Sequence, residues 1–255
     1  MTTRQESLIR GCGQRVLFSG EVSGEFEGVR ACITQGENGI VLRAYAPSGE
    51  EVVPSAETIC CAGKYLWDQG IRECPVTVSS EAGDHLILCS TGENVVTAVT
   101  AGVGTACFVP KNIPLRFEKS LMNDVVSLPG VRPFRLTALH FRTPYAVVFL
   151  ESAGDYALLE RGQEISSMAL FPRGAEVLFA YVQGERTIHL RAYHRDGSTS
   201  LRGNDVCAAL AAAVAVGRCL PDTAVTVPLP DGEVRAVCTK GWDLFLTCPV
   251  RGEMT

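Results

Sequence analysis

The chain of 255 residues is long enough for two domains of ordinary size, each with its own hydrophobic core. Hydrophobic residues make up 46% of it and charged residues 20%, a balance typical of globular proteins and not of disordered ones. The net charge of −5, without any run of Lys or Arg, argues against nucleic acid as the main partner, because phosphate binding needs clustered cations.

Most of the chain consists of short alternating or β-branched runs separated by Gly, Pro and Asp, a pattern that predicts strands. In the first half we predict strands at residues 16–22, 29–34, 40–45, 76–79, 86–89, 95–100 and 106–109. In the second half we predict them at residues 136–141, 146–150, 157–160, 177–182, 188–193, 223–227, 234–238 and 244–248.

Each half also carries one long apolar, cysteine-containing helix, predicted at residues 56–69 and 205–219. Ser55 precedes the first helix, and Asn204 precedes the second, so side-chain oxygens can accept from free N–H groups there. Such helix starts also attract anions. Four prolines and a predicted short helix at residues 115–126 lie between the halves, so we predict domains at 1–115 and 116–255.

The two halves share a repeated sequence. Leu42-Arg43-Ala44-Tyr45 recurs as Leu190-Arg191-Ala192-Tyr193, and Val76-Thr77-Val78 recurs as Val225-Thr226-Val227 at almost the same offset. A repeat of about half the chain length predicts two domains of one fold, related by a pseudo-twofold axis, with a ligand cleft between them. The predicted class is α+β, each domain a mostly antiparallel sheet wrapped around a central helix.

The odd number of cysteines, eleven, and the lack of an export signal argue against disulfides. Most of them are interpreted as small apolar core residues: Cys32, Cys89, Cys107, Cys207, Cys238 and Cys248. No Cys-x-x-Cys or His-x-x-x-His spacing occurs, so we expect neither a metal nor another cofactor. No apolar stretch reaches the roughly 20 residues of a membrane span. Residues 1–7 lack an apolar signal region, and we therefore expect a cytoplasmic protein without a membrane partner.

Five segments between the predicted elements contain glycine, polar residues or cysteine in ordered spacing. They are Gly11-Cys12-Gly13-Gln14, Ala46-Pro47-Ser48-Gly49-Glu50-Glu51 leading to Ser55 and Cys60-Cys61, Arg142-Thr143-Pro144-Tyr145, Phe171-Pro172-Arg173-Gly174-Ala175-Glu176-Val177, and His194-Arg195-Asp196 leading to Arg202-Gly203-Asn204-Asp205-Val206-Cys207. In this order they resemble the motifs of diaminopimelate epimerases, a family that shares its fold with proline racemases and phenazine-biosynthesis isomerases. The resemblance spans nearly the whole chain.

That family, as the resemblance implies, racemises amino acids without a cofactor by means of two thiols, one on each face of the substrate. The two thiol positions correspond to Ser55 and Arg202 in this chain. A serine hydroxyl is too weak a base without activation, and arginine stays protonated. Four family asparagines correspond to Gln14, Ala46, Thr143 and Glu176, so meso-diaminopimelate is a poor candidate for the substrate.

Four other residues are candidates for moving protons: Glu57, Glu176, His194 and Asp205. Glu57 and Asp205 lie at equivalent places in the two repeats, near the helix starts, where acidic residues are also common for dipole reasons alone. His194 lies in a position that the resemblance assigns to ligand binding, and a histidine there is either a general base or a solvated strand end. Glu176 is either a base or a ligand for an ammonium group.

The predicted ligand-binding residues share positions near the motif loops and helix starts: Gln14, Ser55, Thr143, Tyr145, Arg195, Arg202, Gly203 and Asn204. Arg195 matches the arginine that binds a substrate carboxylate in the resembled family. For Ser55 an N-cap role is the alternative, and for Arg202 an exposed loop position.

The sequence thus predicts an isomerase-like enzyme that acts on a small amino acid or carboxylate in the cleft by acid–base proton transfer. A non-catalytic descendant that binds a ligand or partner is the alternative, and a lyase or cyclase is a third. A small-molecule substrate is the expected partner, and a homodimer is left open as the assembly.

Overall fold

The computed structural model describes residues 6–20, 26, 28–37, 39–130, 132–152, 156–230 and 232–253. Within these residues the chain is mostly β-sheet with few helices. The strands are β1 (Ser7–Gly11), β2 (Gln14–Phe18), β3 (Val29–Gly36), β4 (Gly39–Tyr45), β5 (Glu51–Val52), β6 (Val76–Ser80), β7 (Gly83–Gly92), β8 (Val95–Thr105), β9 (Asp124–Val126), β10 (Phe134–Phe141), β11 (Thr143–Phe149), β12 (Glu176–Gln183), β13 (Thr187–Tyr193), β14 (Val225–Leu229), β15 (Gly232–Cys238) and β16 (Asp243–Glu253). The helices are α1 (Ala56–Asp68), α2 (Tyr156–Leu159), α3 (Gly162–Ser166) and α4 (Gly203–Ala215).

Backbone contacts divide the chain into two compact units. The first unit consists of Met1–Gly104, Leu229–Val234 and Phe245–Thr255, and the second of Thr105–Pro228 and Arg235–Leu244. This division differs from a single break near residue 115, because the last strand, β16, returns to the first unit. There it pairs with β1 in antiparallel register, with Glu253 opposite Leu8.

The strands of the first unit form a closed ring. Their order is β1-β2-β3-β4-β6-β7-β8-β16, and the pairing of β1 with β16 closes it. Closure satisfies the backbone hydrogen-bonding groups that an open sheet leaves unpaired at its edges. Helix α1 packs against β1, β2, β3, β4 and β7, and eleven of its thirteen residues are buried. Most of these buried residues are apolar or small, as Ile59, Cys60 and Leu66 are. The charged Glu57 and Lys64 are buried as well, and Lys64 Nζ donates to Asp68 Oδ2 at 2.9 Å.

The second unit has a sheet in the order β14-β13-β12-β11-β10-β9. Helix α4 packs against β10, β11, β12 and β13. Its middle is a run of alanines whose members are all fully buried. Small side chains let the helix lie close to several strands at once, which accounts for the alanine-rich sequence.

The sequence repeat falls on corresponding strands of the two units. Strand β4 pairs antiparallel with β3 and parallel with β6, and β13 pairs antiparallel with β12 and parallel with β14. Leu42-Arg43-Ala44-Tyr45 ends β4, and Leu190-Arg191-Ala192-Tyr193 ends β13. The pairing pattern is therefore repeated along with the sequence, while pseudo-twofold symmetry and a central helix in each unit stay predictions.

Some predicted elements are wrong. Residues 157–160 lie mostly in helix α2 and not in a strand. Residues 115–126 contain no helix, since Asn123 has a left-handed φ of 59° and the carboxylate of Asp124 accepts from the Met122 N–H. That local turn breaks any helical hydrogen-bond ladder and leads into β9. Residues 106–109 form only an isolated bridge, from Cys107 to His140.

The two long helices are close to the prediction. Helix α1 begins at Ala56 after its N-cap Ser55, as expected, whereas α4 begins two residues early, at Gly203, with Arg202 as N-cap. Residues 1–5 and 21–22, used in the predictions for the N-terminus and the first strand, lie outside the described residues. All eleven cysteines are reduced. In the described part of the chain, no helix has the length and apolar character needed to cross a bilayer.

Candidate active site

Three neighbouring strands of the second unit place three of the predicted residues side by side. Glu176 begins β12 and lies opposite Tyr145 of the parallel strand β11. His194 directly follows the last residue of β13, Tyr193, which pairs with Val177 of β12. The first turn of α4 brings Asp205 to the same point, because the Tyr145 hydroxyl donates to Asp205 Oδ1 at 3.0 Å.

The imidazole of His194 lies between two carboxylates. Its Nδ1 is 3.1 Å from Glu176 Oε2, and its Nε2 is 3.4 Å from Asp205 Oδ2 and 3.0 Å from the carbonyl oxygen of Ser200. Each of these oxygens is an acceptor, so a ring protonated on both nitrogens satisfies every contact. We call Tyr145, Glu176, His194 and Asp205 the buried network.

The buried network is withdrawn from solvent, and its charges depend on one another. His194 is 1% exposed, Asp205 0% and Glu176 7%. Burial lowers the pKa of His194, but hydrogen bonds to Asp205 and Glu176 outweigh it and raise the pKa to about 10. Burial raises the pKa of Glu176, whereas hydrogen bonds from His194 and Arg195 outweigh it and give a pKa of about 2. At neutral pH the ring is therefore an imidazolium, and Glu176 is ionised.

Glu176 also holds Arg195, which lines a surface pocket. The Arg195 backbone N–H donates to Glu176 Oε2 at 2.9 Å, and its Nε donates to Oε1 at 3.0 Å. The Arg195 side chain is 42% exposed. The pocket, of about 390 Å³, lies within the second unit, and its lining includes Ser166, Ser167, Phe171, Gly174, Tyr193 and Arg195. A half-exposed guanidinium held at one edge still has N–H donors for a carboxylate.

Asp205 organises the start of helix α4. Its Oδ2 accepts from the Arg202 backbone N–H at 2.8 Å, so the capping contact comes from the third helical residue and not from Asn204. The Arg202 guanidinium donates to Asp196 Oδ2 at 3.1 Å and to Ser198 Oγ at 2.9 Å. Arg202 is thus fixed at the helix start, with its side chain about one-third exposed.

The remaining ligand candidates of the second unit are Thr143, Gly203 and Asn204, which lie close to Tyr145 and Asp205 in the sequence. Thr143 is the half-buried first residue of β11 and pairs with Phe141. Gly203 is buried and Asn204 half-buried in the first turn of α4. A role of these three residues in ligand binding stays a prediction.

The first unit contains the other three candidates. Ser55 caps α1: its Oγ accepts from the Thr58 N–H at 3.3 Å and lies 2.9 Å from the Thr58 hydroxyl. Glu57 lies in the first turn of α1 and is only 4% exposed. Gln14 is the half-buried first residue of β2, opposite Gly11. Ser55 is engaged as an N-cap, and its hydroxyl has no basic partner within the described contacts that would activate it.

Two features at these sites were not predicted. The Ser200 carbonyl completes the surroundings of His194, and backbone acceptors leave no signal in a sequence. In the first unit, buried thiols gather near Glu57, among them Cys12 and Cys61. Cys12 lies inside the Gly11-Cys12-Gly13-Gln14 motif, and this position is the sequence signal by which it could have been identified.

The buried network holds charged side chains in fixed positions. His194 has no free ring nitrogen, and Glu176 already accepts three hydrogen bonds, so neither is well suited to take a proton from a substrate. The guanidinium groups beside the network, those of Arg195 and Arg202, belong to partly exposed side chains. This arrangement suits recognition of an anion such as a carboxylate.

Comparison with curated proteins gives relatives with one activity. The chain is 30% identical over 214 residues to the diaminopimelate epimerase of Desulfitobacterium hafniense, a match that covers 82% of this chain and 74% of the relative. It is 24% identical over 212 residues to the diaminopimelate epimerase of Leptospira biflexa, covering 81% of this chain and 75% of that protein. No protein-family model matches the chain.

Solved structures show the fold. A probable proline racemase from Agrobacterium radiobacter, solved with bound carbonate, superposes with a TM-score of 0.68 at 12% identity and covers 98% of this chain and 93% of its own. A Bacillus anthracis phenazine biosynthesis protein of the PhzF family gives a TM-score of 0.64 at 13% identity and covers 98% of both chains. At such identities the likeness concerns the fold alone: mostly sheet, few helices and a closed barrel.

Proposed function

Since this chain belongs to the diaminopimelate epimerase family, within the racemase and epimerase superfamily, we propose that it is a cofactor-independent isomerase of a small amino acid or carboxylate. The observation that supports this best is the buried network, which fixes Arg195 at a pocket and Arg202 at a helix start. Two fixed guanidinium groups and the start of α4 provide donors for a carboxylate.

The proposed proton transfer does not use the family's two thiols. As the resemblance aligns the motifs, Ser55 and Arg202 correspond to the two thiols, and both side chains are engaged in other hydrogen bonds. Of the four predicted acid–base residues, three belong to the buried network. Glu57, buried in the first turn of α1, lies outside the buried network and is therefore our first candidate for the group that moves a proton. His194, Glu176 and Asp205 are proposed as positioning residues.

The proposed substrate differs from meso-diaminopimelate. In the resembled family, four asparagines hold the substrate, and this chain has Gln14, Ala46, Thr143 and Glu176 at those positions. Glu176 is ionised and bound to Arg195, so it adds negative charge where the family has a neutral amide. We infer a substrate that has a carboxylate for Arg195 but a different distal end.

Solvent deuterium exchange at the α-carbon tests this function. The protein is incubated in D₂O with a panel of amino acids that includes meso-diaminopimelate and proline, and loss of the α-proton signal is followed by NMR. We expect one small substrate to exchange. Glu57→Gln should slow that exchange by about 10²-fold or more, as removal of a general acid–base does.

The matched control for Glu57→Gln is Glu81→Gln, which removes an exposed carboxylate from the turn between β6 and β7 of the same unit. Exchange should be unchanged in that variant. Unchanged exchange in Glu57→Gln would exclude Glu57 as the proton carrier, and exchange lost in both would point to a general loss of structure.

The second candidate function is a ligand-binding protein without catalysis. One observation favours it: each titratable group of the buried network already has a charged or hydrogen-bonding partner within the protein. Saturable binding of a carboxylate that weakens in Arg195→Gln, without deuterium exchange for any compound, would establish this function in place of the first.

A further inference from the structure

The first unit contains a group of thiols packed around the backbone of Gly11. A methyl group at Gly11 would lie 2.8 Å from Cys61 Sγ and 3.2 Å from Cys248 Sγ. Cys248 belongs to β16, the strand that pairs with β1 through Gly11 and Val250. Only glycine fits at this point, because any side chain would displace the sulfur atoms.

Cys12, the next residue, has an unusual backbone. Cys12 and Gly13 form the two-residue turn between β1 and β2, with φ values of 50° and 77°. Such a turn favours Asn or Gly at its first central position, and another residue there incurs a conformational cost. The turn places the Cys12 thiol within hydrogen-bonding reach of the Cys248 sulfur, which also lies 3.3 Å from the carbonyl oxygen of Pro249.

The contact between the two thiols shifts their pKa values in opposite directions. The hydrogen bond with Cys12, then that with Cys60, lowers the pKa of Cys248 below that of an ordinary thiol, even though burial opposes this. The same hydrogen bond with Cys248, followed by burial, raises the pKa of Cys12. These opposite directions describe a pair that loses its first proton readily and shares the second. Cys248 is therefore the member of the pair that can accept the proton of Cys12.

A small pocket gives access to this pair. It has a volume of about 100 Å³, lies within the first unit, and its lining includes Cys12, Gly13, Val234 and Pro249. Cys12 is 6% exposed, whereas Cys248 is fully buried behind it. The pocket is large enough for a molecule the size of a few waters.

We propose that Cys12 and Cys248 form a reactive dithiol that hydrogen peroxide oxidises to a disulfide. The Cys12 thiol, which lines the pocket, gives its proton to the Cys248 thiolate as its sulfur attacks one peroxide oxygen. The O–O bond breaks, and the leaving hydroxide takes a proton from solvent to become water. The product is a sulfenic acid on Cys12. The Cys248 sulfur then attacks the Cys12 sulfur, the S–O bond breaks, and the departing hydroxide takes the remaining thiol proton as a second water. Two thiols lose two electrons in total, and the peroxide gains them.

This oxidation would join the β1–β2 turn covalently to β16. It concerns the strand pair that closes the ring of the first unit, and it does not depend on the proposed isomerase activity. The reduced state of both residues in the structure is the starting point for the reaction.

Peptide mapping tests the proposal on the whole protein. The reduced chain is treated with one equivalent of hydrogen peroxide near neutral pH, alkylated under denaturing conditions and digested with trypsin. Cleavage after Arg10, Arg15, Lys240 and Arg251 puts Cys12 and Cys248 in two short peptides that each contain one cysteine. We expect these two peptides to be linked and the thiol titre of the denatured protein to fall from eleven to nine.

The matched controls are Cys12→Ser and Cys74→Ser. Cys74 is the exposed cysteine among the eleven, and its replacement should leave the linked peptides at full yield. Cys12→Ser should abolish the link and slow peroxide consumption by at least about tenfold, since it removes the thiol that faces the pocket.

Because the wild-type map needs no variant, it decides the question even if Cys12→Ser fails to fold. Separate, alkylated Cys12 and Cys248 peptides beside an oxidised Cys74, or Cys12 oxidised beyond the sulfenic acid without a link, would overturn the proposal.

Discussion

At the scale of single residues, the position of His194 determines what its neighbours can do. The ring is enclosed by Glu176 and Asp205 and is almost without solvent contact. Removal of one of these three ionisable side chains would leave an opposite charge buried without its partner, a change that typically lowers the free energy of unfolding by about 3–5 kcal/mol. The buried network is therefore expected to be a condition for the fold around Arg195 as well as for ligand binding.

The unfolding free energy should fall at alkaline pH because of His194. Its pKa is about 10 in the folded chain and about 6.5 in the unfolded one, so protonation favours folding. The contribution of the protonated His194 to the free energy of unfolding is complete below pH ~6.5 and is lost as the pH rises towards 10. We expect a loss on the order of a few kcal/mol between these limits, measured by urea unfolding at a series of pH values.

Two variants separate this effect from other titrations. His194→Gln should be less stable at neutral pH and should lack the additional alkaline decline. His189→Gln, on β13, removes a half-buried ring whose partner is the exposed Gln183, and it should retain the wild-type profile. Parallel profiles for wild type and His194→Gln would contradict a protonated His194.

The hydroxyl of Tyr145 offers a smaller change in the same network. Tyr145→Phe removes the donor to Asp205 Oδ1 and keeps the ring, which is 3% exposed. Leaving a buried acceptor without its donor lowers the free energy of unfolding by about 1–3 kcal/mol, so the urea concentration at the unfolding midpoint should fall. Tyr193→Phe is the control, because that half-buried tyrosine makes no hydroxyl hydrogen bond within the described contacts and should change stability by less than about 0.5 kcal/mol. Equal effects of both changes would show that the hydroxyl of Tyr145 has no special role.

Among the elements, the two long helices were predicted close to their observed bounds. The start of α1 was predicted correctly, but the start of α4 was not. Ser55 is a side chain with an acceptor, and its N-cap role was visible in the sequence. Arg202 has no acceptor, and the start of α4 is satisfied by Asp205, three residues later, which sequence spacing alone could not assign. The predicted helix at 115–126 failed because a turn at Asn123 and Asp124 competes with the helical ladder.

Helix α1 contains a glycine whose replacement should have the opposite effect to that predicted by helix propensity. Alanine in a helix interior is favoured over glycine by about 1 kcal/mol. At Gly63, however, the added methyl would lie 2.6 Å from Ile87 Cγ2 and 2.9 Å from Val99 Cγ1, in the strands that α1 packs against. We expect Gly63→Ala to destabilise the protein by about 1–3 kcal/mol, measured by urea unfolding.

Gly92→Ala is the control for this change. Its added methyl would meet only Thr97 Cγ2, at 3.8 Å, an ordinary contact. Its stability should equal or slightly exceed that of the wild type. A more stable Gly63→Ala would mean that β7 and β8 can move away from α1, so that helix propensity decides the sign after all.

At the scale of the whole molecule, strand pairing was the part that the sequence could not provide. The repeated motifs predicted two similar halves, and the pairing pattern is indeed repeated in β3–β4–β6 and β12–β13–β14. The pairing of β1 with β16 joins residues at opposite ends of the chain. Alternating apolar residues identify a strand but not its partner, so the place of the last strand in the first unit had no sequence signal.

Removal of residues 245–255 should therefore affect the first unit most. Those residues form nearly all of β16, which closes the ring between β8 and β1 and buries Leu246, Cys248 and Val250. Its loss exposes two unpaired strand edges as well as apolar surface, so we expect aggregation and loss of amide protection in β1 and β8. Hydrogen–deuterium exchange with mass spectrometry would measure this, with Arg251→Ala, an exposed change on the same strand, as the control that keeps protection. If α4 in the second unit lost protection to the same extent as β1 and β8, the two units would unfold as one, and the contact division would not describe separate folding units.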